Sequence, residues 1–224
     1  MDVRRTFLIV LAAIASSAIA LLLPGRAAAC SQSSHCHAEA DFFPVGTYTG
    51  GFVNITTTRL TNNATPSDIV TSELWIIDER LTPKFVEEGA ITGRNGSRRW
   101  FWADQCSPSS YSFHDTSLGF ALGTQYGTKI SYNGGGKWAV YRNGGFVNNS
   151  ATCHGSTAQE MQAGGESTSN ANVLTGDGNN LQKRGSDNVS WSYNWGGADV
   201  FGNAPMTASW VSGQQYAHLT YGEN

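Results

Sequence analysis

The stretch Tyr126–Arg142, with the sequence YGTKISYNGGGKWAVYR, decides the fold class. Two runs rich in aromatic and β-branched residues, Tyr126–Tyr132 and Lys137–Arg142, flank the turn Asn133–Gly136. Asn-Gly and Gly-Gly pairs adopt the positive φ angles that tight hairpin turns need. The stretch therefore predicts a β-hairpin.

Outward from this hairpin, the chain continues as short β-runs separated by turn residues. The further predicted strands are 47–60, 69–78, 84–91, 98–104, 160–167, 189–193, 206–211 and 216–221. Such short strands without a helical period are typical of an all-β fold, a two-sheet antiparallel β-sandwich of the jelly-roll or concanavalin-like kind. We expect 164–188 to be a long loop, alone or with an edge strand. We expect 30–45 to be an irregular polar lead-in and 46–224 to be a single sandwich domain.

The composition agrees with an all-β chain. Of 224 residues, 26 are Gly and 14% are charged, whereas about 25% are charged in an average soluble domain; this argues against long surface helices. A hydrophobic content of 40%, including 7 Trp, 8 Tyr and 10 Phe, argues against intrinsic disorder. The formal net charge of −3 and the lack of a basic stripe argue against nucleic-acid binding.

Residues 1–29 are similar to an export signal. Arg4 and Arg5 precede the mostly apolar run 7–23, and Ala27–Ala29 offers the small residues that a signal peptidase accepts. The two arginines fit a twin-arginine signal or an ordinary secretory signal, and a membrane anchor would have a similar apolar run. We expect cleavage and a secreted protein, with neither nucleic acid nor a membrane as a partner.

Four cysteines follow this segment: Cys30, Cys36, Cys106 and Cys153. An even number in an exported chain indicates two disulfides, for which three pairings exist. The favoured pairing joins near neighbours, Cys30 with Cys36 and Cys106 with Cys153. The alternative is that Ala27–Cys30 is a lipoprotein signal, in which case a lipid on Cys30 would attach the protein to a membrane.

Acidic residues inside apolar strands are the candidates for chemistry. Glu87 and Glu88 are adjacent in the run FVEEGAI, and because side chains alternate between the faces of a strand, one of them must point into the sandwich. Glu73 also lies beside an apolar run and must likewise face either a cleft or solvent. Glu166 follows Gly164–Gly165, and these glycines would let a ligand approach closely. Two carboxyls in an apolar cleft can share a proton, as general acid–base hydrolysis requires. The alternative is that each glutamate lies on a solvated sheet face.

The familiar motifs for other chemistries are absent from the sequence. It has no Gly-x-Ser-x-Gly elbow, no phosphate-binding Gly-rich loop and no His-Glu-x-x-His. His35 and His37 flank Cys36 without a second ligand pair at zinc-site spacing, and Asp177–Asn180 matches a calcium loop only in its first positions. We therefore expect no metal and no cofactor.

Two segments resemble the neprosin family of secreted glutamic peptidases. The family's first catalytic glutamate lies in an apolar-Glu-x-Gly segment, similar to Val86–Gly89, with an aromatic strand and a tyrosine after it, similar to Trp100–Asp104 and Tyr111. Its second glutamate lies in Gly-Gly-Glu, similar to Gly164–Glu166. The chain also resembles, more distantly, the eqolisins, fungal β-sandwich glutamic peptidases whose site pairs a Gln with a Glu.

The resemblance implies a bacterial secreted acid endopeptidase that acts on a polypeptide substrate. Glu87 and Glu166 would then be the catalytic pair, one as the base for a water and the other as the acid for the scissile carbonyl. Trp75, Trp100 and Trp102 would line the substrate cleft. The sequence does not decide which glutamate is the base.

Two other functions remain open. Trp191, Tyr193 and Trp195 alternate as an aromatic row that stacks on sugar rings would, which favours a non-catalytic binding module for a polysaccharide or cell-wall ligand. The third possibility is a secreted structural or interaction protein with neither activity.

Overall fold

A computed structural model describes most of the chain. The described residues are 30, 35–44, 47–65, 67–93, 97–116 and 119–223. The predicted export signal, 1–29, lies outside them. Within this part of the chain, no helix is both long and apolar enough to cross a membrane.

The described residues form fifteen strands in two antiparallel sheets. In chain order the strands are β1 Cys36–Phe42, β2 Gly50–Thr61, β3 Val70–Glu79, β4 Lys84–Thr92, β5 Arg98–Gln105, β6 Tyr111–Asp115, β7 Gln125–Gly134, β8 Lys137–Arg142, β9 Gly145–Asn149, β10 Glu160–Ser167, β11 Val173–Arg184, β12 Trp191–Tyr193, β13 Asp199–Gly202, β14 Met206–Trp210 and β15 His218–Glu223. The first sheet has the order β13-β1-β10-β3-β4-β5-β6, and the second has the order β14-β15-β11-β2-β7-β8-β9, with β12 paired to β11. One buried hydrophobic core contains residues of both sheets. The predicted all-β sandwich is confirmed.

Alternation along β3 gives the first sheet its two chemically different faces. Leu74 and Ile76 belong to the core between the sheets, so Glu73 and Trp75 lie on the outer face. The same alternation on the flanking strands adds further polar side chains to this outer face. The outer face is where the candidate site lies.

The predicted hairpin forms as β7 and β8. Its turn has Gly134, Gly135 and Gly136 at φ angles of 86°, 59° and 74°, a conformation that glycine adopts at little steric cost. The Asn-Gly-Gly-Gly sequence was therefore a reliable signal for this turn.

The expected irregular lead-in is wrong for Cys36–Phe42, which forms β1 between β10 and β13. Its core-facing side chains alternate with His37, Glu39 and Asp41, a period of two that matches a strand. Two of the core-facing residues are Ala38 and Ala40. Alanine is depleted in strands, which hides the pattern.

The expected long loop at 164–188 is also corrected, because Val173–Arg184 forms β11 between β15 and β2. Leu174 and Leu181 are core residues of this strand. Gly176 contributes no side chain because the Tyr221 ring occupies that space, 2.7 Å from where a Cβ would lie. A strand with glycine at a core-facing position lacks the apolar alternation that sequence analysis detects.

Both disulfides form in the favoured pairing. Cys30–Cys36 and Cys106–Cys153 have Cα separations of 5.1 Å and 5.6 Å, within the usual range. The first bond ties residue 30 to β1, and the second ties the region after β5 to the segment after β9. The sulfur of Cys30 is therefore used in a disulfide and is not free to carry a lipid.

Candidate active site

A cleft of about 680 Å³ lies on the outer face of the first sheet. Its lining includes the side chains of Thr71, Glu73, Glu87, Phe101, Tyr111 and Glu166. The two glutamates expected to form a catalytic pair therefore line one cleft, together with a third glutamate.

Strand pairing brings the three glutamates together. β3 lies between β10 and β4, and Glu73 on β3 is directly opposite Gly164 on one side and Gly89 on the other. Glu87 comes two residues before Gly89, and Glu166 comes two residues after Gly164, so all three acids share a face. A Cβ at position 89 would lie 2.4 Å from the Glu73 Cβ. The glycine of the Glu-x-Gly segment therefore leaves room for Glu73.

Glu87 is a buried carboxyl held by two donors. The Trp75 indole Nε1–H donates to its Oε2 at 2.6 Å, and the Tyr111 hydroxyl donates to its Oε1 at 2.6 Å. Burial, followed by the negative charge of Glu166, raises the pKa of Glu87 to about 7 even though these two hydrogen bonds favour the charged form. Glu87 is therefore a protonated acid at mildly acidic pH.

Glu73 is 1% exposed, and neither of its carboxyl oxygens has a hydrogen-bond partner among the described residues. Burial raises its pKa well above the usual range, and the charges of Glu87 and Glu166 raise it further. An unpaired buried carboxylate costs several kcal/mol, so such a group takes up a proton instead. Glu73 is thus a neutral acid between the other two glutamates.

Glu166 is more accessible and lies beside two histidines. Its Oε2 is 3.1 Å from the Nδ1 of His35 and 3.9 Å from the Nδ1 of His37. Burial lowers the pKa of His37, but the carboxylates of Glu39, Glu166 and Asp41 outweigh that effect and raise it. At acidic pH a protonated His37 therefore lies next to the carboxyl group of Glu166.

Glu88 points the opposite way, into the space between the sheets. The Nε of Arg142 is 2.6 Å from its Oε1, and the Thr128 hydroxyl donates to its Oε2. The prediction that one of the adjacent acids Glu87 and Glu88 faces inward is therefore correct, and the inward residue is Glu88.

The three tryptophans expected at the cleft do not lie there together. Trp75 donates its hydrogen bond to Glu87, whereas Trp100 and Trp102 lie on the inner face of β5. Trp100 packs edge-on against Tyr126 with ring centroids 4.4 Å apart, and Trp102 stacks on His114 at 4.1 Å. The expectation that Trp100 and Trp102 line the cleft is not met.

The register of the sheet explains this outcome. Trp102 is directly opposite Glu88, and Phe101 is directly opposite Gly89. Side chains directly opposite each other share a face, so Trp102 shares the inner face with Glu88. Phe101 occupies the cleft position instead.

The sequence placed Glu73 among the candidate acids and Tyr111 in the family motif without giving either a role in the site, and it did not connect His35 with Glu166. Glu73 could have been found by alternation, since it precedes Trp75 by two residues on the same face. The contact between His35 and Glu166 spans 131 residues, and no local pattern reports such a contact.

One group among the described residues brings three potential metal ligands together: Cys106, Cys153 and His154. The two cysteines are bonded to each other, and the Nδ1 of His154 lies 2.9 Å from Asp78 Oδ1. Disulfide sulfurs are not thiolate ligands, so this group is not a metal site. That the protein needs no metal or cofactor stays a prediction.

Comparison with solved structures shows where this architecture recurs. Two crystal structures of scytalido-glutamic peptidase, one with a transition state analog inhibitor and one with a peptide-based transition state analog, match with TM-scores of 0.63 and 0.60. They are 10% and 8% identical in sequence, and each match covers 84% of this chain and 98% of the other. The fold is that of eqolisin peptidases. SCP-B, a member of that family in complex with the tripeptide Ala-Ile-His, matches with a TM-score of 0.55 at 7% identity over 85% of this chain and 98% of its own.

Comparisons at the level of sequence find no relative. No family model matches the chain, and no curated protein matches it. The likeness to the eqolisins is therefore one of fold. The resemblance to neprosins and the bacterial origin stay predictions.

Proposed function

We propose that this protein is a secreted peptidase that hydrolyses peptide bonds at acidic pH through Glu87 and Glu166. The observation that carries the proposal is the chemical difference between two glutamates in one cleft. Glu87 is buried with a pKa raised to about 7, whereas Glu166 is accessible and lies beside His35 and His37. The eqolisin-like fold supports the proposal, because the similar solved structures are peptidases with peptide-like molecules bound.

The environments of the two glutamates favour one assignment of roles. Glu166, with protonated His37 nearby, is the general base: its carboxylate takes a proton from water as the water oxygen attacks the scissile carbonyl carbon. Protonated Glu87 donates to the carbonyl oxygen, where negative charge develops. The tetrahedral intermediate then collapses: the C–N bond breaks, the proton held by Glu166 passes to the leaving amine, and one hydroxyl proton of the intermediate returns to Glu87 as the carbonyl re-forms.

Two neighbouring groups support Glu87. Trp75 and Tyr111 fix both of its oxygens, which orients the acid toward the cleft. Neutral Glu73 fills the space between the two catalytic glutamates without adding charge at acidic pH. Substrate is expected to bind against Phe101 and Phe113, whose stacked rings lie in the cleft.

The assignment predicts the direction of the pH dependence. Glu87 must be protonated to act as the acid, and its pKa is raised to about 7. Cleavage should therefore decline as the pH rises through that value.

The test is cleavage of an unfolded protein by the full chain, produced with both disulfides formed, between about pH 3 and about pH 8, the range over which a raised carboxyl pKa is visible. Glu87→Gln and Glu166→Gln should each lower kcat by about 10²- to 10⁴-fold, the usual contribution of a general acid or base. Glu79→Gln, which changes an accessible glutamate at the end of β3, is the matched control and should retain activity. Thermal unfolding of each variant checks that it is folded.

Wild-type cleavage by either Gln variant would overturn the two-glutamate mechanism. Absence of cleavage by the folded wild-type protein at every pH would favour the alternative, a non-catalytic module that binds carbohydrate. The aromatic row expected for that module is not continuous, because Trp195 is fully buried and stacks on Phe42 with centroids 6.1 Å apart. Trp191 is partly exposed, and Tyr193 is exposed.

A further inference from the structure

A second pocket, of about 250 Å³, lies on the outer face of the second sheet, away from the cleft. The side chains that matter here are Lys129, Ser131, Tyr141, Arg184, Asn188 and Trp191. Thr128 and Ile130 on β7 are fully buried toward the first sheet, so Lys129 and Ser131 point outward.

Strand register brings residues of this pocket together from neighbouring strands of the second sheet. Gly50 on β2 is directly opposite Ser131 on one side and Arg184 on the other. A Cβ at position 50 would lie 3.0 Å from the Ser131 Cβ and 3.2 Å from the Arg184 Cβ. The lack of a side chain at position 50 therefore lets Ser131 and Arg184 lie close together across β2.

Two cations face this space without an acidic residue in the lining. Lys129 and Arg184 both line the pocket, and none of the described lining residues is Asp or Glu. Burial and the nearby charge of Arg184 lower the pKa of Lys129. Asp187 interacts with the Arg184 charge, but its oxygens already accept hydrogen bonds from Val189 and Ser190. An anion in the pocket would relieve the repulsion between the two cations.

Polar atoms at the pocket also lack partners. The Arg184 guanidinium donates to the backbone carbonyls of Tyr132 and Asn188. Its Nε, and the Oδ1 of Asn188, are buried without a hydrogen-bond partner among the described residues. Buried polar atoms in native folds generally have a hydrogen-bond partner, so these two atoms are available to bond to a ligand in the pocket.

Trp191 adds an aromatic surface beside the two cations. Its ring centroid is 6.0 Å from the Lys129 Nζ and 6.0 Å from the Arg184 Cζ. An indole offers a flat apolar face for the C–H surface of a sugar ring. A volume of about 250 Å³ is smaller than the 300–1,000 Å³ of sites for drug-sized ligands, so only one ring-sized unit enters at a time.

We propose that this pocket binds one uronic-acid unit of an acidic polysaccharide. Lys129 and Arg184 hold the sugar carboxylate, Trp191 stacks on the ring, and Ser131 and Asn188 bond to its hydroxyl groups. An acidic polypeptide is less favoured, because one common mode of peptide binding, pairing with a free strand edge, is not open to it. Here the strands that form the floor, β2, β7 and β11, are each paired on both sides.

The experiment titrates the full chain, with both disulfides formed, with trigalacturonate at low salt and follows binding by calorimetry. Lys129→Gln and Trp191→Ala should each weaken binding at least about tenfold, which corresponds to 1.4 kcal/mol. Arg59→Gln removes an exposed positive charge from β2 of the same sheet and should leave the affinity unchanged. The methyl ester of trigalacturonate, which lacks the charge, should bind at least about tenfold more weakly than the acid.

Three outcomes would overturn the proposal: no binding of trigalacturonate to the folded protein, equal affinity for the acid and its methyl ester, or equal loss of affinity in Arg59→Gln. Poly-glutamate binding that is as tight as trigalacturonate binding would assign the pocket to acidic polypeptides instead. None of these results depends on peptidase activity, because the cleft lies on the other sheet.

Discussion

Glu73 differs from the other two glutamates of the cleft because neither of its carboxyl oxygens meets the hydrogen-bond criteria with another described residue. Glu87 has two donors and Glu166 has histidines, so each of those acids is stabilised by neighbouring groups. Burial and the charges of Glu87 and Glu166 raise the pKa of Glu73 despite an opposing contribution from Thr71, so Glu73 is held mainly as a neutral acid. Its role in the proposed mechanism is therefore to occupy space without charge, and this can be separated from catalysis.

Glu73→Gln should leave cleavage at pH 4 close to the wild-type rate, because a neutral amide replaces a neutral acid of almost the same shape. The stability of the variant should equal that of the wild type at pH 4 and exceed it at pH 7.5. A group with a raised folded-state pKa loses its stabilising contribution as the pH rises above its unfolded-state pKa, and the amide has no such loss. Thermal unfolding at both pH values measures the difference. Equal stability changes at pH 4 and pH 7.5 would contradict a neutral, buried Glu73.

At the scale of elements, the two sheets are joined by a charged contact between β4 and β8. Glu88 is fully buried, and burial raises its pKa to about 7 against the opposing effect of Arg142. The Arg142 side chain is 13% exposed and also lies over the Trp100 ring, 4.4 Å from its centroid. Because this contact is desolvated, its removal from one side leaves an uncompensated buried charge.

Arg142→Met should destabilise the protein by about 3–5 kcal/mol at pH 7.5, the usual cost of breaking a buried pair from one side. At pH 4 the loss should be smaller, since Glu88 is then protonated and only the packing on Trp100 is lost. Urea unfolding at the two pH values gives the comparison. The control is the same change in a Glu88→Gln background: the stability difference between Glu88→Gln and Glu88→Gln/Arg142→Met should depend little on pH. If Arg142→Met lowers the stability equally at both pH values, the charge of Glu88 does not contribute to the effect of Arg142.

The elements also show what sequence could and could not predict. The β7–β8 hairpin was predictable because three glycines mark its turn, and the adjacent Glu87 and Glu88 were separable in principle by alternation alone. β1 and β11 were missed because small residues, Ala38 and Gly176 among them, occupy core-facing positions where apolar side chains are expected.

The candidate site divides in the same way. Local motifs pointed to Glu87 and Glu166, and the structure brings both to one cleft. The prediction that Trp102 lines the cleft was wrong for a different reason. Trp102 on β5 is paired with Glu88 on the neighbouring strand β4, and this pairing places it on the inner face of the sheet. The contacts of His35 and the neutrality of Glu73 depend on the assembled sheet, and no pattern within one strand reports them.

At the scale of the whole molecule, several buried ionisable groups have raised pKa values, which favours the folded protein at acidic pH. Burial raises the pKa of Asp41, Glu87 and Glu88 to about 7 in each case. His154 is buried between Asp78 and Asp104, whose carboxylates outweigh its desolvation and raise its pKa. Among the described residues, three acids have a lowered pKa: Asp104, which is buried beside His154 and opposes this trend, and Glu79 and Asp187, which are on the surface, where solvent screening weakens their contribution.

These shifts predict that the folded protein is more stable in acid than at neutral pH. For each raised carboxyl the stabilising contribution is complete below its unfolded-state pKa, 3.8 for Asp41 and 4.5 for the glutamates, and is lost as the pH rises to about 7. The contribution of His154 is complete below pH 6.5 and is lost above it, so the two kinds of group act in the same direction.

A loss of ~3 kcal/mol lowers the Tm of a chain of this size by roughly 6–12 °C, and calorimetry at pH 4 and pH 7.5 should show at least that decrease. Glu88→Gln should reduce the decrease, because an amide at position 88 no longer titrates, whereas Glu79→Gln should leave it unchanged. A Tm that is constant or rises toward pH 7.5 would mean that these acids are not held protonated in the folded state, and it would remove the basis for an acid role of Glu87.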